Sequence, residues 1–413
     1  MSADTRRKTL ILLAAIFVCF YALGVMLYDR SIPDLGIRCA FTPIVNRFDR
    51  SHLFPADQEP LRPYDKIVKL GDKKIQNWPE IQRELLNLRE PSVIPDHSMK
   101  GLDTKFNLIT YQGETLVRVV YERGDQTNQV WVRVGEVPLT NILPTILWFI
   151  SKAGLFFIGA LLFWFRPNEV YARQFFIFCV VSCGAYLGGY HWTRITTQPV
   201  LILVFMVCSV MLPPVCLHFY LLFPRKKRPL EKYPDRTLLA VYALPTLFLL
   251  FFLFRFFSIR NLFAGKLTDA HQTMARLMLQ EMLIGIYIYF AIAGILYILS
   301  IATLIHSFRT ASTLTERNQV KWILFGSLAT LIPLGRTLFM ALNDQAEFGG
   351  GGATLWMFLA SVFVTVAFAI SITRYRLMEL DQLLSSSKIY LVVSALAALV
   401  FYALVLLAVL FIG

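Results

Sequence analysis

The chain has 413 residues, of which 56% are hydrophobic and 16% charged, and its formal net charge is +13. Soluble chains sit nearer half apolar and a quarter charged, so this composition excludes an ordinary soluble protein. The basic residues gather at the ends of long apolar runs, without a basic and aromatic patch elsewhere, which argues against nucleic acid as a partner.

A spanning helix needs about 20 mostly apolar residues to cross about 30 Å of hydrocarbon. The first such run is residues 9–28, preceded by Arg6, Arg7 and Lys8. No small-residue cleavage site precedes Asp29, so the run reads as a retained signal anchor with a cytoplasmic N-terminus. Further runs lie at 141–165, 171–192, 198–223, 237–257, 281–306, 319–342, 353–373 and 389–411. The connections predicted inside carry Arg166 and Arg173, then Arg225 to Arg228 with Lys232 and Arg236, then Arg309, Arg317 and Lys321, then Arg374, Arg376 and Lys388. Those predicted outside carry fewer basic residues, as the positive-inside rule requires. The 258–280 loop, with Arg260, Lys266 and Arg276, fits it least. Nine spans leave Gly413 outside on an apolar Val-Leu-Phe-Ile-Gly, so a continuation beyond Gly413 is expected.

Residues 34–136 have the composition of a soluble α/β unit and are expected outside the cytoplasmic membrane. Strands are predicted at 37–40, at 67–70 and 73–75 around Gly71-Asp72, and at 115–122 and 130–134 around Gly124-Asp125. Residues 78–88 place Ile81, Leu85 and Leu88 on one helix face. This order resembles a PDZ domain of the bacterial extracytoplasmic kind. The likeness rests on Leu61-Arg62-Pro63-Tyr64-Asp65 followed by the apolar strand at 67–70, with Tyr64 where that family has glycine and an insertion around 89–107. The resemblance implies peptide capture by strand addition, with Gly36 and Ile37 at the carboxylate-gripping loop.

The six cysteines show no CxxC spacing, and Cys39 is alone in the polar segment, so no zinc site, redox pair or internal disulfide is signalled there. Cys179 and Cys183 share a helix face and read as small packing residues. No His-Glu pair occurs, so the HExxH of a metalloprotease is missing, and no catalytic residue, metal or cofactor is assigned. Gly326-Ser327 reads as helix packing. Gly349 to Gly352 reads as a flexible connection, since it lacks the Lys-Ser/Thr of a phosphate loop. Lys152 and Arg336 lie within spans, where ionisable groups are costly and mark ligand or coupling sites. Pro213, Pro214, Pro245 and Pro333 interrupt spans as well.

Three further segments stand in a telling order: Leu217 to Pro224 (LHFYLLFP), Glu316 to Gly326 (ERNQVKWILFG) and Ala367 to Asp381 (AFAISITRYRLMELD). Together with the first span and the PDZ-like unit, they are similar to the membrane-sensor region of bacterial histidine kinases of the competence-pheromone, quorum-sensing receptor type. The resemblance implies a membrane all-α polytopic bundle of about nine spans with an inserted extracytoplasmic α/β PDZ-like domain. It also implies signal coupling at the inner face through Glu316, Arg317, Lys321, Trp322, Arg374, Arg376 and Asp381. The expected partners are membrane lipid, an extracellular peptide or hydrophobic ligand, and a second copy of the chain. The expected function is a sensor module relaying to a cytoplasmic output that these residues do not include. A PDZ-bearing scaffold or protease regulator, and thirdly a transporter, remain as alternatives.

Overall fold

A computed structural model describes residues 3–88, 107–111, 113–137, 139–264 and 268–374. Eight helices in these residues are long and apolar enough to cross a membrane. They are α1 (Ala3–Ser31), α3 (Leu139–Phe165), α4 (Val170–Tyr190), α6 (Pro199–Leu222), α8 (Pro234–Ala264), α9 (Asp269–Thr310), α10 (Leu314–Asn343) and α12 (Ala353–Arg374). Short helices α5 (Trp192–Ile195), α7 (Arg228–Lys232) and α11 (Gln345–Gly349) sit in the connections. The run predicted at 389–411 lies outside the described residues.

Helical periodicity sorts each helix into two faces. On α1, Val18, Tyr21, Ala22 and Val25 are buried, while Leu13, Ile16, Phe20, Leu23 and Leu27 are exposed. Spacings of three and four put each set on one face. Exposed apolar rows continue on α8 (Leu239, Leu247, Phe254) and α9 (Ile284, Ile288, Ile295). Faces of that kind are stable in hydrocarbon rather than in water. Small residues let the helices approach. The Cys179 Sγ would lie 2.7 Å from a Cβ on Gly159, so this cysteine fills the notch that glycine leaves. Pro214 has no N–H to offer the carbonyl of Val210, one turn earlier inside α6. The Tyr289 hydroxyl of α9 donates to that carbonyl instead.

Between α1 and α3 lies a sheet unit. Its elements are β1 (Ile37–Arg38), β2 (Arg47–Phe48), β3 (Lys66–Leu70), β4 (Lys73–Lys74), α2 (Trp78–Asn87), β5 (Leu108–Tyr111), β6 (Glu114–Arg123) and β7 (Gln126–Arg133). All pairings are antiparallel. β6 is the spine: it pairs with β7 over its whole length, from Leu116↔Arg133 to Arg123↔Gln126, and with β5 and β3. The predicted strand at 37–40 shortens to two residues. β5 was not predicted; it borders the insertion, whose residues 89–106 are outside the described set. Glu80 caps α2 by accepting from the backbone N–H of Gln76 at 2.5 Å and of Asn77 at 3.2 Å. Tyr64 has φ +76, a left-handed conformation that glycine adopts more readily, and its side chain is 72% exposed. Beside it, Asp65 is buried and takes both guanidinium arms of Arg123, at 2.8 and 2.7 Å, which ties the start of β3 to the end of β6.

The predicted 258–280 loop is corrected. α8 runs to Ala264 and α9 starts at Asp269, so almost all of that stretch is helical. The 42 residues of α9 make about 63 Å of helix at 1.5 Å per residue, twice the hydrocarbon thickness. The surplus turns have another apolar partner. Ile259, Met278 and Leu279 join the core that Trp78, Ile81 and Leu85 of α2 form with Val117, Val119 and Tyr121 of β6. Arg255 pairs with Glu281 at 2.5 Å across the hairpin, which accounts for one basic residue near that loop. The glycine run is corrected as well. Gly349 ends α11, and a Cβ on it would meet the Asn46 side chain at 2.8 Å, so the run packs on the sheet unit instead of hanging free.

Candidate functional site

The sheet unit and the bundle meet in a buried charge network. Its sources are ordinary: α1 ends on Asp29, the unit opens on Asp34, and α4 stops at Tyr190 because His191 leaves helical geometry (φ −107°, ψ 17°). The single turn of α5 that follows brings Arg194 back towards α1. Arg194 Nε donates to Asp29 Oδ1 at 2.5 Å, and its Nη2 donates to the carbonyls of Asp29 at 3.0 Å and Ile32 at 2.8 Å. Its Nη1 lies 3.7 Å from Asp34 Oδ1. His191 Nδ1 is 3.2 Å from the other Asp29 oxygen. Arg38 grips Asp34 with both arms, at 2.6 and 2.8 Å. Asp29 and Asp34 are 0% and 1% exposed, so these pairs work in a medium where charges are costly alone and strong together. Burial pushes the Asp34 carboxyl up; the bonds and charges of Arg38, the charge of Arg194 and the Gly36 N–H outweigh it and hold the group well below the usual carboxylate range.

Gly36 and Ile37 sit beside this network. Gly36 has φ +67 and donates its N–H to Asp34 Oδ1 at 3.0 Å. A Cβ there would meet His52 at 2.8 Å, so only glycine fits. Ile37 pairs with Phe48 across β1 and β2. Three rings gather where the segment after β1, the start of α2 and α5 meet: Phe41 lies 5.6 Å from Trp78 and 5.3 Å from Trp192, with Trp78 and Trp192 at 5.9 Å. Polar bonds tie α2 separately to the α8–α9 hairpin, from Arg83 Nη1 to the Phe263 carbonyl at 3.2 Å and from Asn77 to the Gln272 carbonyl at 3.5 Å.

Lys152 is placed elsewhere, in the bundle core, 1% exposed and with its Nζ 4.2 Å from the centre of the Tyr186 ring. Arg336 is apart from both. Its side chain is 40% exposed, with Nη2 3.8 Å from Glu347 and the guanidinium over Phe339. The four predicted ligand residues therefore mark three places.

At the end of the bundle distant from the sheet unit lie four of the predicted coupling residues, Glu316, Arg317, Lys321 and Trp322, all in the first turns of α10. Thr313 caps α10 by accepting from the Glu316 N–H at 3.2 Å. Glu316 pairs with Arg225 at 2.9 Å and accepts from the Ser312 N–H at 3.1 Å. Arg317 lies 4.8 Å over the Phe308 ring of α9. Lys321 is exposed, and Trp322 stacks edge-on with Phe325 at 6.3 Å. Ser371 of α12 donates to the Gln319 carbonyl of α10 at 2.9 Å. Two turns on, a Cβ on Gly326 would meet the Phe363 carbonyl at 2.9 Å, so α10 and α12 cross in close backbone contact. Arg374 closes α12, while Arg376 and Asp381 lie outside the described residues.

Sequence reasoning missed Asp29, Asp34 and His191, and took Arg194 only as a loop charge. A signal existed: an acid at the end of one apolar run and a single arginine in the 191–198 connection are complementary charges at one predicted interface. Among the described residues, no group of three or more His, Cys, Asp or Glu is placed to hold a metal ion.

Comparison with known families matches residues 147–381, more than half of the chain, to the N-terminal 7TM region of histidine kinase. No curated protein and no solved structure matches. The matched residues contain seven of the eight membrane-length helices, α3, α4, α6, α8, α9, α10 and α12, with α1 and the sheet unit ahead of them. The helix count of the bundle and the family match agree, and the chain belongs to the family of N-terminal 7TM regions of histidine kinases.

Proposed function

We propose that these residues are the sensor module of a two-component histidine kinase, with the sheet unit outside the cytoplasmic membrane and α12 leading to a cytoplasmic output. The observation that carries the reading is the seven-helix match over 147–381. Orientation is supported by the basic residues Arg166, Arg173, Arg225 to Arg228, Arg309 and Lys321, which cluster at the ends away from the sheet unit. A PDZ-like descent of the unit is supported by Tyr64, whose left-handed φ of +76 marks the place of the glycine in the related motif. An extracellular peptide or hydrophobic ligand of the quorum-sensing kind enters between β1 and α2. To do so it displaces Phe41 and Trp192 from Trp78, and thereby moves α5 and its Arg194. The shift passes from α1 and α4 through the bundle to the α10–α12 pair. Only a ligand that prefers one arrangement can drive it.

The test is immunoprecipitation from source membranes with an antibody to residues 34–136, followed by incubation with labelled ATP. The expected product carries acid-labile, alkali-stable phosphate on histidine, and Arg194→Ala alters its ligand response. Preparations that are full-length and folded yet never acquire such phosphate would overturn the kinase reading and favour a scaffold.

A further inference from the structure

The buried cations of the junction are answered by acids: Arg194 by Asp29, and Arg38 by Asp34. Lys152 is not. Its Nζ makes no ion pair or hydrogen bond among the described residues; it lies over the Tyr186 ring, with the buried thiols of Cys179 and Cys183 nearby. Three more buried donors lack an acceptor among the described residues: the Trp148 indole N–H one turn earlier on α3, the hydroxyl of the preceding residue Ser151, and the Ser361 hydroxyl of α12. Their residues are 3%, 3% and 0% exposed.

The register of α3 and α12 places these groups at one level. Trp148 packs on Phe358 at 6.2 Å. Further along, Leu155 of α3 and Phe368 of α12 share one core cluster. The two helices therefore run side by side in the same direction, and Ser361, three residues past Phe358, is level with Ser151, three residues past Trp148. An ammonium, an indole N–H and two hydroxyls thus lie within one helical turn of a common level in the membrane-spanning part of the bundle. A cation–π contact leaves the ammonium's charge uncompensated, and buried donors of this kind call for an acceptor. Residues 389–411, the remaining predicted span, hold no Asp or Glu to provide one.

We infer that Lys152, with Trp148, Ser151 and Ser361 near its level, forms a binding site, closed to water in this structure, for a singly charged anion of carboxylate size. One negative charge matches the one ammonium; a dianion such as phosphate would carry a net charge into an apolar surround made by Leu147, Phe358 and Val362. The anion has two sources with the same chemistry. It is the carboxylate of a fatty acid sliding in from the bilayer, or a small anion such as chloride or acetate from water. The site does not depend on the kinase reading, because binding is measured without any output.

The test uses the full chain in nanodiscs of neutral phosphatidylcholine, in sulfate buffer of constant ionic strength. Unfolding midpoint and tryptophan fluorescence are followed while sodium oleate, sodium chloride or sodium acetate is added, with methyl oleate as the uncharged control. The wild type should be stabilised by at least one of the three anions and not by methyl oleate, since a ligand that binds only the folded state raises the midpoint. Lys152→Met, which removes an uncompensated buried charge and keeps a long apolar side chain, should fold and lose the response. Lys152→Arg should keep it, and Ser361→Ala should weaken apparent affinity several-fold. A response to oleate alone assigns the bilayer as the source; a response to chloride or acetate assigns water. No response to any anion, or an equal response in Lys152→Met, overturns the proposal.

Discussion

At the junction, Arg194 binds at once a carboxylate, two backbone carbonyls and, more distantly, a second carboxylate. Its guanidinium suits this because five donors lie in one plane. Arg194→Ala leaves Asp29 with His191 as its remaining polar side-chain partner among the described residues, and breaking a buried pair in this way costs about 3–5 kcal/mol. The unfolding midpoint in detergent should fall sharply, and Arg194→Lys should recover only part of the loss, because an ammonium cannot reach both carbonyls and the carboxylate. Asp34 gives a prediction with a sign. Its folded carboxyl is held low by Arg38 and Arg194, so its stabilisation is complete above the unfolded value of about 4. That stabilisation is lost as pH falls through the lower folded value. The gap in midpoint between wild type and Asp34→Asn should therefore stay constant from pH 8 to 5 and close only below about pH 4. A gap that closes near pH 6 would overturn the assignment to Asp34.

At the scale of elements, the α10–α12 crossing joins the last described helix to its neighbour, and the proposed relay passes through it. Gly326 lies against Ala367 and the Phe363 carbonyl, and backbone cannot yield as a flexible side chain can. Gly326→Ala should cost about 1–3 kcal/mol by overpacking, and Ala367→Gly in the same molecule should restore only the part due to the Ala367 methyl, because the Phe363 carbonyl stays in place, as read by thermal unfolding. A Gly326→Ala variant as stable as the wild type would show that the two helices do not meet there. The α8–α9 hairpin teaches a related lesson. Its sequence from 258 to 280 mixes charges with isolated apolar residues and reads as a loop, yet Ile259, Met278 and Leu279 are core residues of the sheet unit. Their partners on α2 are some 180 to 200 positions away in the chain, and periodicity within a window carries no trace of them.

For the whole molecule, orientation is open to a direct check. Asp125→Cys, in the exposed β6–β7 turn, should react in intact cells with a membrane-impermeant maleimide, and Lys226→Cys should react only after the membrane is opened. The reverse pattern would turn the protein over. Eight of the nine spans read from the sequence lie in the described residues as helices of membrane length, and these and the sheet unit between the first two were legible in the sequence, as was a charged cluster around Glu316 and Arg317 at a helix start. Each rests on a local property: length of an apolar run, alternation along a strand, a cap residue at a helix start. Tertiary structure alone decided that Asp29, Asp34, Arg38, His191 and Arg194 form one network, that the α8–α9 hairpin closes the core of the sheet unit, and that Ser361 stands level with Lys152. Those facts depend on how a helix is rotated about its axis and on which distant helix it packs against, and both are set by contacts between segments far apart in the chain.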